Sequence, residues 1–224
     1  MSKSKLVIFA FIFFVPVFFI LFISSFGKNR YKLPVYFAND SIKSEGNDYK
    51  VTDAFVVPDF KLINQDGKEI TQKELRGYIY VADFFFTRCG SICPKMTTQL
   101  TRVQEAYGKD SLIKIISFTV DPKYDSVSVL KKYALEYNAN PKQWNFVTGR
   151  KDSIYNLAQK GYFITAMEDT AHPLDFIHSD KLVLIDKQGW IRGYYNGTDQ
   201  KEVDKLITEI SVLKEIYANE SNRK

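Results

Sequence analysis

The sequence predicts a mixed α/β domain built around one buried strand, and three observations carry that expectation. Residues 78–86 (YIYVADFFF) form an unbroken apolar and aromatic run, the pattern of a strand covered on both faces. That run leads through Thr87-Arg88 into Cys89-Gly-Ser-Ile-Cys93, then Pro94 and a helix-like stretch to Tyr107, so the only two cysteines sit where a strand gives way to a helix. Downstream, strand-like and helix-like segments alternate and end in a hairpin signal and an amphipathic helix.

The elements follow in order. Residues 60–63 and 68–70 flank Asn64-Gln-Asp-Gly67 and read as a hairpin. Thr71 with Glu74 has the form of a capping box, opening a short helix that Gly77 ends. After the cysteine strand, Pro94 suits a first helical turn and the helix proper is expected over 95–107. Residues 112–120 (LIKIISFTV) form a second buried strand, broken by Asp121-Pro122, with helical spacing over 127–137. A short strand at 144–147 and a short helix at 153–160 come next. Strands at 181–186 and 190–195 flank Lys187-Gln-Gly189, and apolar residues at 203, 206, 207, 210, 213 and 216 mark the closing helix. Hairpin, strand-Cys-helix-strand-helix, hairpin and helix is the order of a thioredoxin-like fold with an N-terminal β-hairpin extension.

Ahead of this domain, residues 6–27 (LVIFAFIFFVPVFFILFISSFG) carry no charge and are long enough to span a bilayer. Pro16 is tolerable in a membrane helix. We read 1–27 as one uncleaved transmembrane signal anchor, with cleavage after Gly27 as the alternative; no cysteine lies nearby to carry a lipid. Residues 28–53 are polar and read as a tether, which leaves 54–224 as the domain. Lys3, Lys5, Lys28, Arg30 and Lys32 flank the apolar run, while all 26 acidic residues come later and are balanced by the remaining 26 of the 31 basic ones. The net charge of +5 thus belongs to the membrane flanks and gives no case for nucleic-acid binding. Nucleotide-binding glycine loops, serine nucleophile motifs and paired catalytic carboxylates find no match.

The cysteine pair leaves three readings. A structural bridge closing so short a loop would stabilise little. Thiol–disulfide exchange usually has two residues between its cysteines, where Cys89 and Cys93 have three. Metal binding needs two thiolates and a ligand from elsewhere, and only two histidines exist to supply it. His178 stands immediately before the strand at 181–186, whose entry loop in a thioredoxin-like fold lies beside the cysteine junction. His172, in the preceding loop, is read as a surface residue; were it also a ligand, a Cys₂His₂ zinc site would result. Cys89, Cys93 and His178 alone suit copper, because soft thiolates select Cu(I) and a low coordination number satisfies it. A peroxidase of the peroxiredoxin kind is disfavoured, since its threonine stands three residues before the reactive cysteine and Thr87 stands two before Cys89.

Three segments together carry a family resemblance: FFTRCGSICPKM from Phe85, FTVDPKYD from Phe118, and His178 ahead of LVLIDKQG from Leu182. Over roughly residues 50 to 217 the chain resembles the Sco (SenC-type) family of membrane-anchored, thioredoxin-like copper proteins. The resemblance implies that Cys89, Cys93 and His178 bind copper, as Cu(I) or Cu(II), and that the two cysteines form a redox-active disulfide when oxidised. It implies a metallochaperone rather than an enzyme, serving the copper-site subunit of cytochrome c oxidase, with a thiol reductant or copper donor as further partners. The soluble domain is expected on the extracytoplasmic side of the inner membrane. The alternative is a membrane-anchored thiol–disulfide reductase that keeps a partner's copper-binding cysteines reduced. Gly90 departs from the proline common in the family without removing a ligand. The turn at Asp121-Pro122 is assigned no role beyond structure.

Overall fold

The chain divides at Lys32 into a helical unit, Met1–Lys32, and a sheet domain, Leu33–Lys224. The computed structural model describes residues 3–26, 33–37, 42–45, 48–51, 54–164, 167–168, 176–177 and 179–221. In the first unit, α1 (Lys3–Phe26) is a helix of 24 residues with Pro16 inside it. At 1.5 Å per residue its length is about 36 Å. Its side chains are described in runs of at most 12 residues (11–22), all exposed. Among the described residues no helix is long and apolar enough to cross a membrane, so the anchor read from residues 6–27 keeps its basis in the sequence.

In the sheet domain the elements run β1 (Ile42–Glu45), β2 (Asp48–Val51), β3 (Lys61–Asn64), β4 (Glu69–Thr71), α2 (Gln72–Leu75), β5 (Ile79–Phe85), α3 (Ile92–Tyr107), β6 (Ile113–Thr119), α4 (Val127–Glu136), β7 (Trp144–Thr148) and α5 (Lys151–Asn156). A π-helical turn (Leu157–Gly161), β8 (Met167–Glu168), β9 (Phe176–Ile177), β10 (Lys181–Ile185), β11 (Ile191–Asn196) and α6 (Gln200–Ser221) complete the chain. Seven strands form the main sheet in the order β11-β10-β5-β6-β7-β3-β4. β5, β6 and β7 are parallel, and β10, β11, β3 and β4 extend the sheet with antiparallel pairings. The mixed α/β, thioredoxin-like architecture is the expected one, and the expected N-terminal hairpin joins the same sheet through β3 and β7.

Every residue of β5 is buried, because the strand is central and covered on both faces. Its alternation splits the core in two. Tyr80 and Phe84 face an aromatic layer, where Phe84 stacks on Phe118 at 4.9 Å and Tyr162 meets both rings at 5.5 Å. Phe85 faces the other way, against Tyr133 of α4 at 5.3 Å and Phe146 at 5.4 Å. Full burial of such a side chain contributes about 1.5–3 kcal/mol. On the α3 side, the Tyr107 hydroxyl bridges to α6, donating to the Ile207 carbonyl at 2.5 Å.

Two boundaries move. The helix expected from 95 starts at Ile92, which brings Cys93 into its first turn. The helix expected over 153–160 is α5 followed by the π-helical turn, in which the Tyr162 amide donates to the Leu157 carbonyl at 2.9 Å. The wider turn lets the Gly161 backbone pass close to Pro58, where an added Cβ would lie 3.1 Å from the ring. It also sets Tyr162 into the aromatic layer, with its hydroxyl 3.1 Å from that of Tyr80.

The stretch read as a tether, 28–53, supplies β1 and β2 and also docked chain. Leu33 is buried, and the guanidinium of Arg192 donates to the Leu33 carbonyl (2.8 Å), to the Pro34 carbonyl (2.8 Å) and to the Asp186 carboxylate (2.7 Å). Asp186 is fully buried and accepts two more bonds, from the Gln188 and Trp190 amides at 3.0 Å each. Removing one partner of a buried ion pair strands the other, at a cost of about 3–5 kcal/mol. Asp186→Ala should therefore destabilise the domain by about that amount. Denaturant unfolding followed by circular dichroism checks this; a loss below about 1 kcal/mol would show that the clamp is not structural.

Candidate metal centre

β5 leaves the sheet at Phe85, and a tight turn follows in which the Cys89 amide donates to the Phe86 carbonyl at 3.2 Å. Both cysteines are buried. The Cys93 amide, in the first turn of α3, donates to the Cys89 sulfur at 3.4 Å, and the Ser91 hydroxyl lies 3.6 Å from the same sulfur. Ser91 itself makes no capping bond, so sulfur occupies the place of a cap at the helix N-terminus. A helix N-terminus suits negative charge, which is what a ligating thiolate carries. The Cys93 thiol is pushed far up, first by its hydrogen bond to Cys89 and then by burial, with the Phe86 backbone opposing and the nearby Asp83 carboxylate adding to the rise. No disulfide joins the two sulfurs in this structure.

The structure thus brings Cys89 and Cys93 together. His178 and His172 lie outside the described residues, and among the described residues no third His, Cys, Asp or Glu is gathered with the cysteines. The strands around His178 are described: Ile177 pairs with Met167, and β10 runs antiparallel to β5 with Val183 opposite Ala82. β10 therefore enters the sheet at the end where β5 leaves it. At Gly90 an added Cβ would meet nothing within 4 Å, so the glycine marks open space over the loop rather than a close approach. Two adjacent sulfurs at a helix start, with room above them, fit a soft monovalent ion.

Sequence reasoning missed the group that holds the cysteine loop. Asp125 is fully buried and accepts hydrogen bonds from the Thr87 amide (3.1 Å), the Thr87 hydroxyl and the Thr119 hydroxyl. Burial raises its carboxyl pKa, and the bonds from the two threonines oppose that rise. Next to it, the Arg88 guanidinium donates to Asp121 at 2.5 Å and lies 4.2 Å from the Tyr124 ring. The turn at 121–125 therefore fastens the two residues that lead into Cys89. The available signal was the recurrence of hydroxyls and carboxylates in Thr87-Arg88 and Thr119-Val-Asp-Pro-Lys-Tyr-Asp125. Only tertiary pairing makes that recurrence meaningful.

The family model described as SCO1/SenC matches residues 49–213. The chain belongs to the SCO1/SenC family. The SCO1 protein homolog of Bacillus subtilis (strain 168) is 33% identical over 158 residues, covering 70% of this chain and 81% of the relative. Among solved structures, BsSco, a member of the Sco family of cytochrome c oxidase assembly proteins in which a disulfide switch was identified, matches with a TM-score of 0.62. It is 32% identical and covers 70% of this chain and 92% of its own. Arabidopsis thaliana ScoI, solved with copper bound, matches with a TM-score of 0.59 at 25% identity, covering 70% of this chain and 99% of its own. The SCO1/SenC match spans both the cysteine strand and the turn that braces it.

Two predictions follow from the geometry. Because the Cys93 thiol keeps its proton well above the ordinary range, a metal bound by its thiolate must displace that proton. Apparent Cu(I) affinity of the reduced protein should rise by about a decade per pH unit between about pH 6 and 8 from Cys93 alone. Competition against a Cu(I) chelator at several pH values measures it, and a flat profile would show that Cys93 binds as the thiol or not at all. Asp125→Ala should loosen the cysteine loop and weaken Cu(I) binding by about 10–100-fold. If it lowers stability while leaving Cu(I) affinity unchanged, Asp125 supports the fold and not the site.

Proposed function

We propose that this chain is a membrane-anchored copper metallochaperone that binds one copper through Cys89, Cys93 and His178 and helps assemble the copper centre of cytochrome c oxidase. The observation that carries the reading is the pair of buried sulfurs at the start of α3, one accepting the other's amide at 3.4 Å, in a chain whose relatives include copper-bound structures. Support for His178 comes from the entry of β10 beside the exit of β5 and from the family resemblance. Residues 6–27 are the proposed anchor, and oxidisable thiols fit the extracytoplasmic face of the inner membrane better than the reducing cytosol. Copper is the cargo: it enters when both thiols are reduced and leaves by exchange onto thiolates of the oxidase subunit.

A second reading rests on the closeness of the two cysteines, the Cys93 amide donating to the Cys89 sulfur at 3.4 Å. As free thiols, Cys89 and Cys93 would give two electrons and two protons to a partner's disulfide, reducing it to two thiols while they themselves become joined as a disulfide. The reaction needs no histidine, which makes His178 the discriminating residue.

His178→Ala should leave two-sulfur coordination, which Cu(I) accepts, so Cu(I) binding weakens but persists. Cu(II) favours a tetragonal set that includes nitrogen, and its affinity should fall much further. The Cys89–Cys93 reduction potential should hold while cytochrome c oxidase activity in cells is lost. Unchanged Cu(II) affinity together with normal oxidase activity would remove His178 from the site and leave the reductase reading in its place.

A further inference from the structure

The sheet domain carries a second feature that the copper reading does not use. Tyr36, Phe37, Val56 and Phe163 are 39%, 48%, 40% and 42% exposed, although all are large and apolar or aromatic. The rings form one face: Phe37 stacks on Phe163 at 3.9 Å, Phe55 stands edge-on to Phe163 at 4.8 Å, and Tyr36 meets Tyr194 edge-on at 5.4 Å. Phe37 and Phe163, the stacked pair, both hold the left-handed backbone, with φ of 56° and 53°. Bulky residues rarely adopt that conformation, and a fold that keeps two of them there to present neighbouring rings to solvent points to a contact outside the domain.

The position of this face selects its occupant. Residues 33–36 are fastened to the domain by Arg192 and by the Tyr36 amide, which donates to the Ile191 carbonyl at 2.9 Å. Only six residues, 27–32, separate that fastening from the last residue of α1. Fully extended, such a link reaches about 25 Å. Three of the six are Lys28, Arg30 and Lys32, with Tyr31 between them, a composition suited to anionic headgroups and the interfacial layer. Resting on the anchor reading of residues 6–27, the membrane is then the first large apolar body this part of the domain can meet.

We propose that the aromatic face formed by Tyr36, Phe37 and Phe163 sits in the interfacial layer of the membrane that holds the N-terminal helix, as a second contact that fixes how the domain stands on the lipid. Aromatic rings are favoured there because an apolar body can leave water while polar atoms stay hydrated. The fastened residues pair with the start of β11, whereas Asn196 at its far end lies opposite Lys181, where β10 enters the sheet beside the exit of β5. The tether thus joins the sheet at the end remote from the cysteines.

Photolabelling of the full chain in phosphatidylcholine vesicles containing tritiated phosphatidylcholine tests this. The variants are Phe37→p-azidophenylalanine and Phe163→p-azidophenylalanine, with the same replacement at Phe14 in α1 and at Leu135, which is 66% exposed on α4, as references. On illumination both Phe37 and Phe163 positions should take up several-fold more lipid than Leu135. If the Phe14 position labels while either of the two stays at the Leu135 level, the aromatic face does not meet lipid, the proposal falls and the anchor stands. If the Phe14 position fails to label, the anchor reading falls and takes the proposal with it.

Discussion

The geometry of the cysteine pair depends on where β5 leaves the sheet. That exit is fixed from two directions. The ladder with β6 holds the strand in register as far as Phe85 opposite Thr119, and the Val120 amide then donates to the Phe85 carbonyl at 2.8 Å. Beyond the ladder, Asp125 takes over by binding both the amide and the hydroxyl of Thr87. A buried carboxylate is costly unless its lone pairs are used, and here two threonines use them. The carboxylate therefore ties β6, the 121–125 turn and the loop before Cys89 into one unit, and the two sulfurs inherit its rigidity.

Below the sulfurs the same logic is repeated in neutral and charged form. Asp83 accepts a bond from the Ser117 hydroxyl at 2.5 Å, and Ser117 in turn accepts from the Trp144 indole at 2.9 Å. Asp83 and Ser117 are register partners on β5 and β6, so the polar pair lies inside the apolar layer where α3 covers the sheet. Its negative charge adds to the rise of the Cys93 thiol, which keeps that sulfur protonated until a metal or an oxidant takes the proton's place. Burial and the neighbouring sulfur thus work together to make Cys93 hold its proton in the absence of cargo.

The β10–β11 hairpin serves both ends of the domain. Its turn, with Gly189 at φ 84°, wraps the Asp186 carboxylate in amides and aims it at Arg192, which holds the incoming chain at Leu33 and Pro34. Its open end lies where β5 delivers the cysteines. One hairpin consequently separates the fastening of the chain from the chemistry of the site.

The sequence by itself determined the class of fold, the cysteine junction and the succession along the chain of the seven strands that make the main sheet. Those signals are local: an unbroken apolar run is a buried strand wherever it occurs, and a cysteine pair before a helical pattern stays at that junction in any packing. It also placed the capping box at Thr71, where Glu74 accepts from the Thr71 amide at 2.7 Å. Tertiary structure alone decided that Asp125 braces a loop 38 residues upstream, that Arg192 captures carbonyls 158 and 159 residues away, and that helix α3 starts early enough to turn the Cys93 amide onto the Cys89 sulfur. The reason is that a hydrogen bond across the sheet carries no period and no spacing in the chain: Thr87 and Asp125, or Arg192 and Leu33, become neighbours only after strand register has brought them together.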